Sequence, residues 1–483
     1  MYSKLSDHKF KNGKFITQFG EFMKEHGQEH NWFLDRLPQY IWLALILHHH
    51  GREKGMTLCA KILKDIQIIA PNVCLPKMSE LLSLDKDIQR TIYGRIAETV
   101  STEVIAPMTF FLTHSKYPCF AEYFTPSGIS IENRLKILNE ILECASDHQS
   151  NVSTDIRYLV IYFQSAKGLL TMSNEIAELF SQYPRMSHDD PQMRLIRPLI
   201  RSIEVAEPNT EDDMNFCRLF WEEISILNDC QLVYLKYDNS ATNIDECMSV
   251  LKKVMLYYAE MLKSIMPTDN KLVVLLGVST FAYKRILEIV EHNLYNTISG
   301  RSDTRSIIEC FLLMKYLLHE EAAHKDIWSE YQYYGIGQYK LVVEKVLESK
   351  KDIGESHVNI DYLDALVQDY KNKEFIEMNT SYFGKINIRA KAKIVNEMEL
   401  YGFYYDYDSA YEHALWGAIR ESCLLKCNSP SHQYHCVPDI ENTQKLPNVW
   451  HDCWDNMYKI VMLLREHYGM PEYLYNEVMQ SGQ

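Results

Sequence analysis

Arg301, Arg305 and Glu309 recur at four-residue intervals in "RSDTRSIIECF", so on a helix they form one stripe. Arginine on such a stripe can clamp a phosphate or carboxylate, because its planar guanidinium offers paired donors. Glu309 would orient that arginine. In "YEHALWGAIRES", His413, Gly417 and Arg420 share a side at three-to-four spacing, with Glu421 close by. Histidine beside arginine suits acid–base work on a phosphate ester: Arg420 would hold charge and His413 would move the proton. Plainer readings stand beside these. Arg305–Glu309 also fits a surface ion pair of small energy, and His413 fits helix packing in which Gly417 permits close approach.

Two further stretches carry reactive types. "CLLKCNSPSHQYHC" holds Cys423, Cys427, His432 and His435, and two thiolates with two imidazoles suit tetrahedral zinc. The link between the halves is too short for a standard finger. The residues read better as a helix running to Lys426, with Asn428 and Pro430 as stop signals. Zinc on those four is the minority reading, and no metal or cofactor is expected. "RILEIVEH" puts Arg285 and His292 two turns apart. That spacing resembles the R-x4-6-H motif of nucleases of the higher-eukaryote-and-prokaryote nucleotide-binding class, although Ile286 stands where that class has a polar residue. The triplet His48, His49, His50 cannot converge on one ion, since successive helical residues point about 100° apart. It reads as the last turn of a helix stopped by Gly51.

The elements that must position these residues are helical. Apolar residues recur at three-to-four spacing almost throughout, and strand signals are nearly absent. Ser153 or Thr154 is expected to cap the helix in "STDIRYLVIYFQSAKGLL", and Gly300 to terminate one. "YPRMSHDDPQMRLIRPLIRSIE" interrupts the pattern with three prolines. The expected architecture is all-α: a helical N-terminal domain over 1–204, then an antiparallel helical bundle over 205–483.

The net charge of −15 argues against a protein that coats nucleic-acid duplexes. Walker-A, G-x-G-x-x-G, H-E-x-x-H and G-x-S-x-G motifs are all missing, which removes the commonest NTPase, dinucleotide, zinc-protease and hydrolase readings. Twelve cysteines are scattered along the chain and the first eight show no pairing pattern, the leading segment has no apolar signal core, and the longest apolar run is "YIWLALIL". These point to a reduced, cytoplasmic chain that does not enter a membrane.

"SGRSDTRSIIECFLLMKYLL", "WSEYQYYGIGQYKL", "YEHALWGAIRES" and "KCNSPSHQYH" occur in this order. Together they resemble the bacterial domain-of-unknown-function family numbered 5677, over roughly 205–470. The resemblance rests on Arg305, Glu309, Tyr331, Tyr334, Gly335, His413, Gly417, Pro430, His432 and His435. It implies a helical bacterial protein and, by association, a role in defence against phage or other mobile elements. Two function classes follow. One is an effector directed at RNA or a nucleotide, metal-independent and RNase-like or hydrolytic, with Arg305 and Arg420 on phosphate, Glu309 as orienter and His413 as acid–base group. The other is a non-enzymatic sensor or scaffold that binds a protein partner or a second copy through Tyr331, Tyr333 and Tyr334.

Overall fold

Every residue from Leu37 to Leu47 is buried. A helix that is apolar on all sides must be surrounded, and this one, α1 (Leu37–His50), is the central element of its unit. Gln39, a buried polar residue in that run, is satisfied on both sides of its amide. It accepts from the Ser79 amide and donates to the Asp213 carbonyl. His48, His49 and His50 fill the last turn, and Gly51 at φ 72° breaks the helix, as the sequence predicts. α2 (Arg52–Ile69) starts at the next residue. Gly55 lets it fold back closely, since a Cβ there would stand 2.9 Å from Leu47 Cα.

The computed structural model describes residues 6–481 apart from 7, 18–20, 22–30, 126–127, 206–208, 238–242, 265–267, 350–353, 355 and 371–375. Part of the leading segment read for a signal core, and residues 206–208 beside the break read near 205, thus lie outside the described residues. The chain forms two compact units. One is Met1–Val233 with Lys426–Cys436; the other is Tyr234–Leu425 with Val437–Gln483.

The first unit continues with α3 (Lys86–Val100), α4 (Ile131–Ala145), α5 (Asn151–Ala166), α6 (Met193–Val205) and α7 (Glu211–Ser225). Ser150 caps α5, in place of the expected Ser153 or Thr154. Its backbone is still extended (ψ 158°) and its hydroxyl accepts from the Ser153 amide, whereas Ser153 and Thr154 already lie inside the helix. α7 opens with a capping box between Thr210 and Asp213.

The second unit contains α8 (Ile244–Ser264), α9 (Asn270–Glu291), α10 (Ile298–Glu320), α11 (Ile327–Ser349), the short α12 (Ile388–Ile394), α13 (Asp406–Glu412) and α14 (Trp416–Ser422), then α15 (Trp450–Tyr468) and α16 (Glu472–Ser481). α10 lies at the centre of this unit and packs against α9, α12, α13 and α15. Gly300 does not terminate a helix; it sits in the first turn of α10. Its amide donates to the capping Thr297 hydroxyl, and a Cβ there would stand 2.2 Å from the Leu294 carbonyl oxygen. Glycine is required by that approach, which a chain-order reading of Gly as a stop signal cannot detect.

The fold is mostly α-helical, as the periodicity predicts. The strands are short: β1 (Lys9–Lys11) pairs with β2 (Lys14–Ile16), and β3 (Leu232–Val233), β4 (Leu424–Cys427) and β5 (Cys436–Pro438) form a small sheet. The helix expected to run to Lys426 ends at Ser422. The backbone groups beyond it are committed to ladder bonds instead. Cys427 donates to the His435 carbonyl at 2.8 Å, and Asn428 to the Gln231 carbonyl at 2.7 Å. No described helix is long and apolar enough to cross a membrane.

Candidate functional site

The stripe read on one helix face lies on α10, where the other half of the network is supplied by residues 405–409. Arg305 donates from Nη2 to the Tyr405 hydroxyl at 2.6 Å and from Nε to the Ser409 hydroxyl at 3.0 Å. Ser409 is free to accept because its own proton goes to the Tyr405 carbonyl. The Tyr405 hydroxyl in turn donates to Glu309 Oε2 at 3.2 Å, and Arg305 Nη1 lies 3.4 Å from that same oxygen. Arg305 and Glu309 therefore form a linked group with Tyr405 and Ser409. The Arg305 side chain is 19% exposed and that of Glu309 is 44% exposed, so the carboxylate forms the solvent edge.

One turn earlier, Arg301 is buried. It donates to the Pro447 carbonyl at 2.9 Å and lies over the Tyr407 and Tyr411 rings. Its Nε has no hydrogen-bond partner. Asp408 on α13 is also buried, and its Oδ1 is likewise unpaired. Burial pushes the Asp408 carboxyl up to about 7. Arg301 and Arg305 oppose the shift, while Asp452 and Glu421 add to it. Burial also raises Asp303, to about 6, despite its 3.1 Å bond from Arg285. A carboxyl near 7 is part protonated at neutral pH and can give or take a proton. Unpaired buried polar atoms of opposite character on adjoining helices mark a functional candidate.

The remaining predicted residues are placed elsewhere in this unit. His413 caps the end of α13, and its side chain is exposed; it meets the network only through its amide, which donates to the Ser409 carbonyl. Arg420 donates to the Leu424 carbonyl at 3.1 Å, closing the end of α14. Gly417 is exposed, and nothing stands within 4 Å of where a Cβ would be, so close helix approach does not explain it. Arg285 pairs with Glu288 and Asp303, and His292 caps the end of α9. Tyr331 packs edge-on against Phe383 and the Tyr334 hydroxyl donates to the Ser381 carbonyl, whereas Tyr333 is 43% exposed. Tyr405, Asp408 and Ser409 were legible only as a polar–aromatic run in "YYDYDSAYEH".

In the first unit, Cys427, His432 and His435 lie together, but Cys423 is not with them. Cys423 Sγ contacts the neighbouring Ser422 hydroxyl. The fourth member is Cys230, just beyond α7 and 202 positions from His432.

Residues 272–432 match the model of a family of unknown function, DUF5677. The DUF5677 match is narrower than the 205–470 span expected. It takes in Arg305, Glu309, Asp408, His413 and Arg420, the helices that carry them, and Cys427 and His432. No curated protein and no solved structure matches the chain.

Proposed function

We propose that the second unit binds a phosphate-bearing ligand, RNA or a nucleotide, at the edge of the α10–α13 network, and that Asp408 is its proton-transfer group. The observation that carries this reading is the Asp408 carboxyl: buried, unpaired at Oδ1, held near 7 and flanked by two arginines. Arg305 is the residue for the phosphate. It is already oriented by Tyr405 and Ser409, and its Glu309 contact is the solvent-facing one that an anion would replace. This shifts the acid–base role from His413 to Asp408 and leaves Arg420 at the helix end.

The test is titration of the full chain with a nucleoside triphosphate and with a short single-stranded RNA, followed by assay for hydrolysis of each. Arg305→Gln should weaken binding by about ten- to a hundredfold, the worth of a charge-assisted hydrogen bond to phosphate. Asp408→Asn should preserve binding and abolish turnover, while His413→Ala should leave both intact. Absence of binding by the wild type, or equal binding by Arg305→Gln, rules the reading out. The setting we propose is bacterial defence against phage or other mobile elements, supported by the family resemblance. Its readout is plating efficiency under phage challenge, which Arg305→Gln should reduce to that of cells lacking the protein.

A second reading has its own observation. α11 exposes Tyr333, Tyr339, Val342 and Leu347, a half-apolar face that suits a protein partner. Tyr333→Ala with Tyr339→Ala should abolish such association without unfolding the chain, because neither ring is buried. Unchanged association in co-purification sinks it.

A further inference from the structure

We propose that Cys230, Cys427, His432 and His435 hold one zinc ion in a closed tetrahedral site that staples the 427–435 turn to the segment following α7. The four ligand atoms all lie within 4.8 Å of one another. Cys230 Sγ is 3.3 Å from His432 Nδ1 and 3.2 Å from His435 Nε2, and Cys427 Sγ is 3.7 Å from the same His432 nitrogen. A tetrahedron with Zn–S of about 2.3 Å and Zn–N of about 2.0 Å has ligand–ligand edges of roughly 3.3–3.8 Å. The three sulfur–nitrogen separations lie within about 0.3 Å of the roughly 3.5 Å edge that such a pair has in that tetrahedron.

The surroundings point the same way. His432 Nε2 lies 2.9 Å from the Ser225 carbonyl, which can only accept. Nε2 therefore carries the hydrogen, and Nδ1 turns a bare lone pair toward the two sulfurs. A backbone carbonyl behind a histidine is the usual support of a metal-bound imidazole. The Ser429 amide donates to Cys427 Sγ at 3.4 Å, an outer contact of the kind that orients a sulfur ligand. Backbone pairing fixes the ligands without help from an ion. Leu232 faces Cys427 across the β3–β4 ladder, and the left-handed residues Gln433 (φ 55°) and Tyr434 (φ 51°) turn the chain so that His435 returns beside Cys427. Tyr434 anchors the turn, with its ring against Phe33 and its hydroxyl on Ser146. Two sulfurs and two imidazoles in tetrahedral array select zinc over the oxygen-seeking cations. Four protein ligands leave no open position, so the role is structural.

The experiment measures metals by mass spectrometry on the full, tag-free chain, expressed with added zinc and dialysed against metal-free buffer. X-ray absorption at the zinc edge is recorded on the same sample. About one zinc per chain with a two-sulfur, two-nitrogen shell is expected. Cys230→Ser should lose most of it, and Cys423→Ser should retain it. A wild-type content near zero, stoichiometric iron or copper, a shell of another composition, or full zinc in Cys230→Ser would each overturn the proposal. A Cys230–Cys427 disulfide found by thiol counting would do the same. Because the shell is read on the wild type, the outcome is decided even if Cys230→Ser fails to fold.

Discussion

Replacing Asp213 with alanine should cost the first unit about 3–5 kcal/mol, the loss typical when one partner of a buried ion pair is removed. Lys77 Nζ stands 2.7 Å from Asp213 Oδ2, and both side chains are 7% exposed. The same carboxylate accepts the Ser79 hydroxyl at 2.7 Å and the Thr210 amide at 2.9 Å, so it also closes the capping box of α7. Without it the Lys77 charge stays in the interior and α7 loses its first-turn acceptor. Burial alone would raise this carboxyl, but hydrogen bonds from Lys77, Thr210 and Ser79 outweigh it and hold the group below the ordinary range. Its contribution is therefore present above the unfolded value and is lost as pH falls through the lowered one. Urea unfolding followed by far-ultraviolet circular dichroism checks this, with the transition of the first unit fitted separately. A loss under about 1 kcal/mol would show the pair to be energetically idle.

Asp408→Asn should act in the opposite direction on stability. The carboxyl is raised to about 7 by burial, against an unfolded value near 4. The native state holds the proton more tightly, so stability falls as pH rises between about 4 and 7 and levels off above that. The rise from about 4 to about 7 corresponds to at most about 4 kcal/mol. Asparagine removes the ionisation, so the variant should gain on the order of 2 kcal/mol at pH 8 and little at pH 4. Asp303, raised to about 6, leaves a smaller residual slope over a narrower window in the variant. Thermal unfolding of both proteins across that range is the measurement. A pH slope unchanged by the substitution would mean that Asp408 ionises normally. A more stable but inactive variant would be the signature of a functional carboxyl kept at a cost in stability.

The α-helical class, the His48–Gly51 helix end and the Arg305–Glu309 stripe were legible because each depends on residues a few positions apart. Periodicity places α10, and four-residue spacing brings Arg305 and Glu309 to one face whatever surrounds them. Ser150 escapes a reading of the sequence because a serine, three residues before another serine and four before a threonine, offers the same chemistry at several positions. Only the backbone angle selects one. Gly300 was misread for a similar reason: glycine ends many helices, and the nearby carbonyl that requires it here becomes visible only in three dimensions.

The site chemistry divides along the same line. Local sequence determined which helix carries the arginines, and that Cys427, His432 and His435 share one short segment. Tertiary structure decided that Tyr405 and Ser409 hold Arg305, that Asp408 is buried beside it, and that Cys230 rather than Cys423 completes the sulfur–imidazole set. Helical spacing is enforced by hydrogen bonds within one segment. Convergence of residues 202 positions apart is set by how whole helices bury their apolar faces, and no local pattern records that.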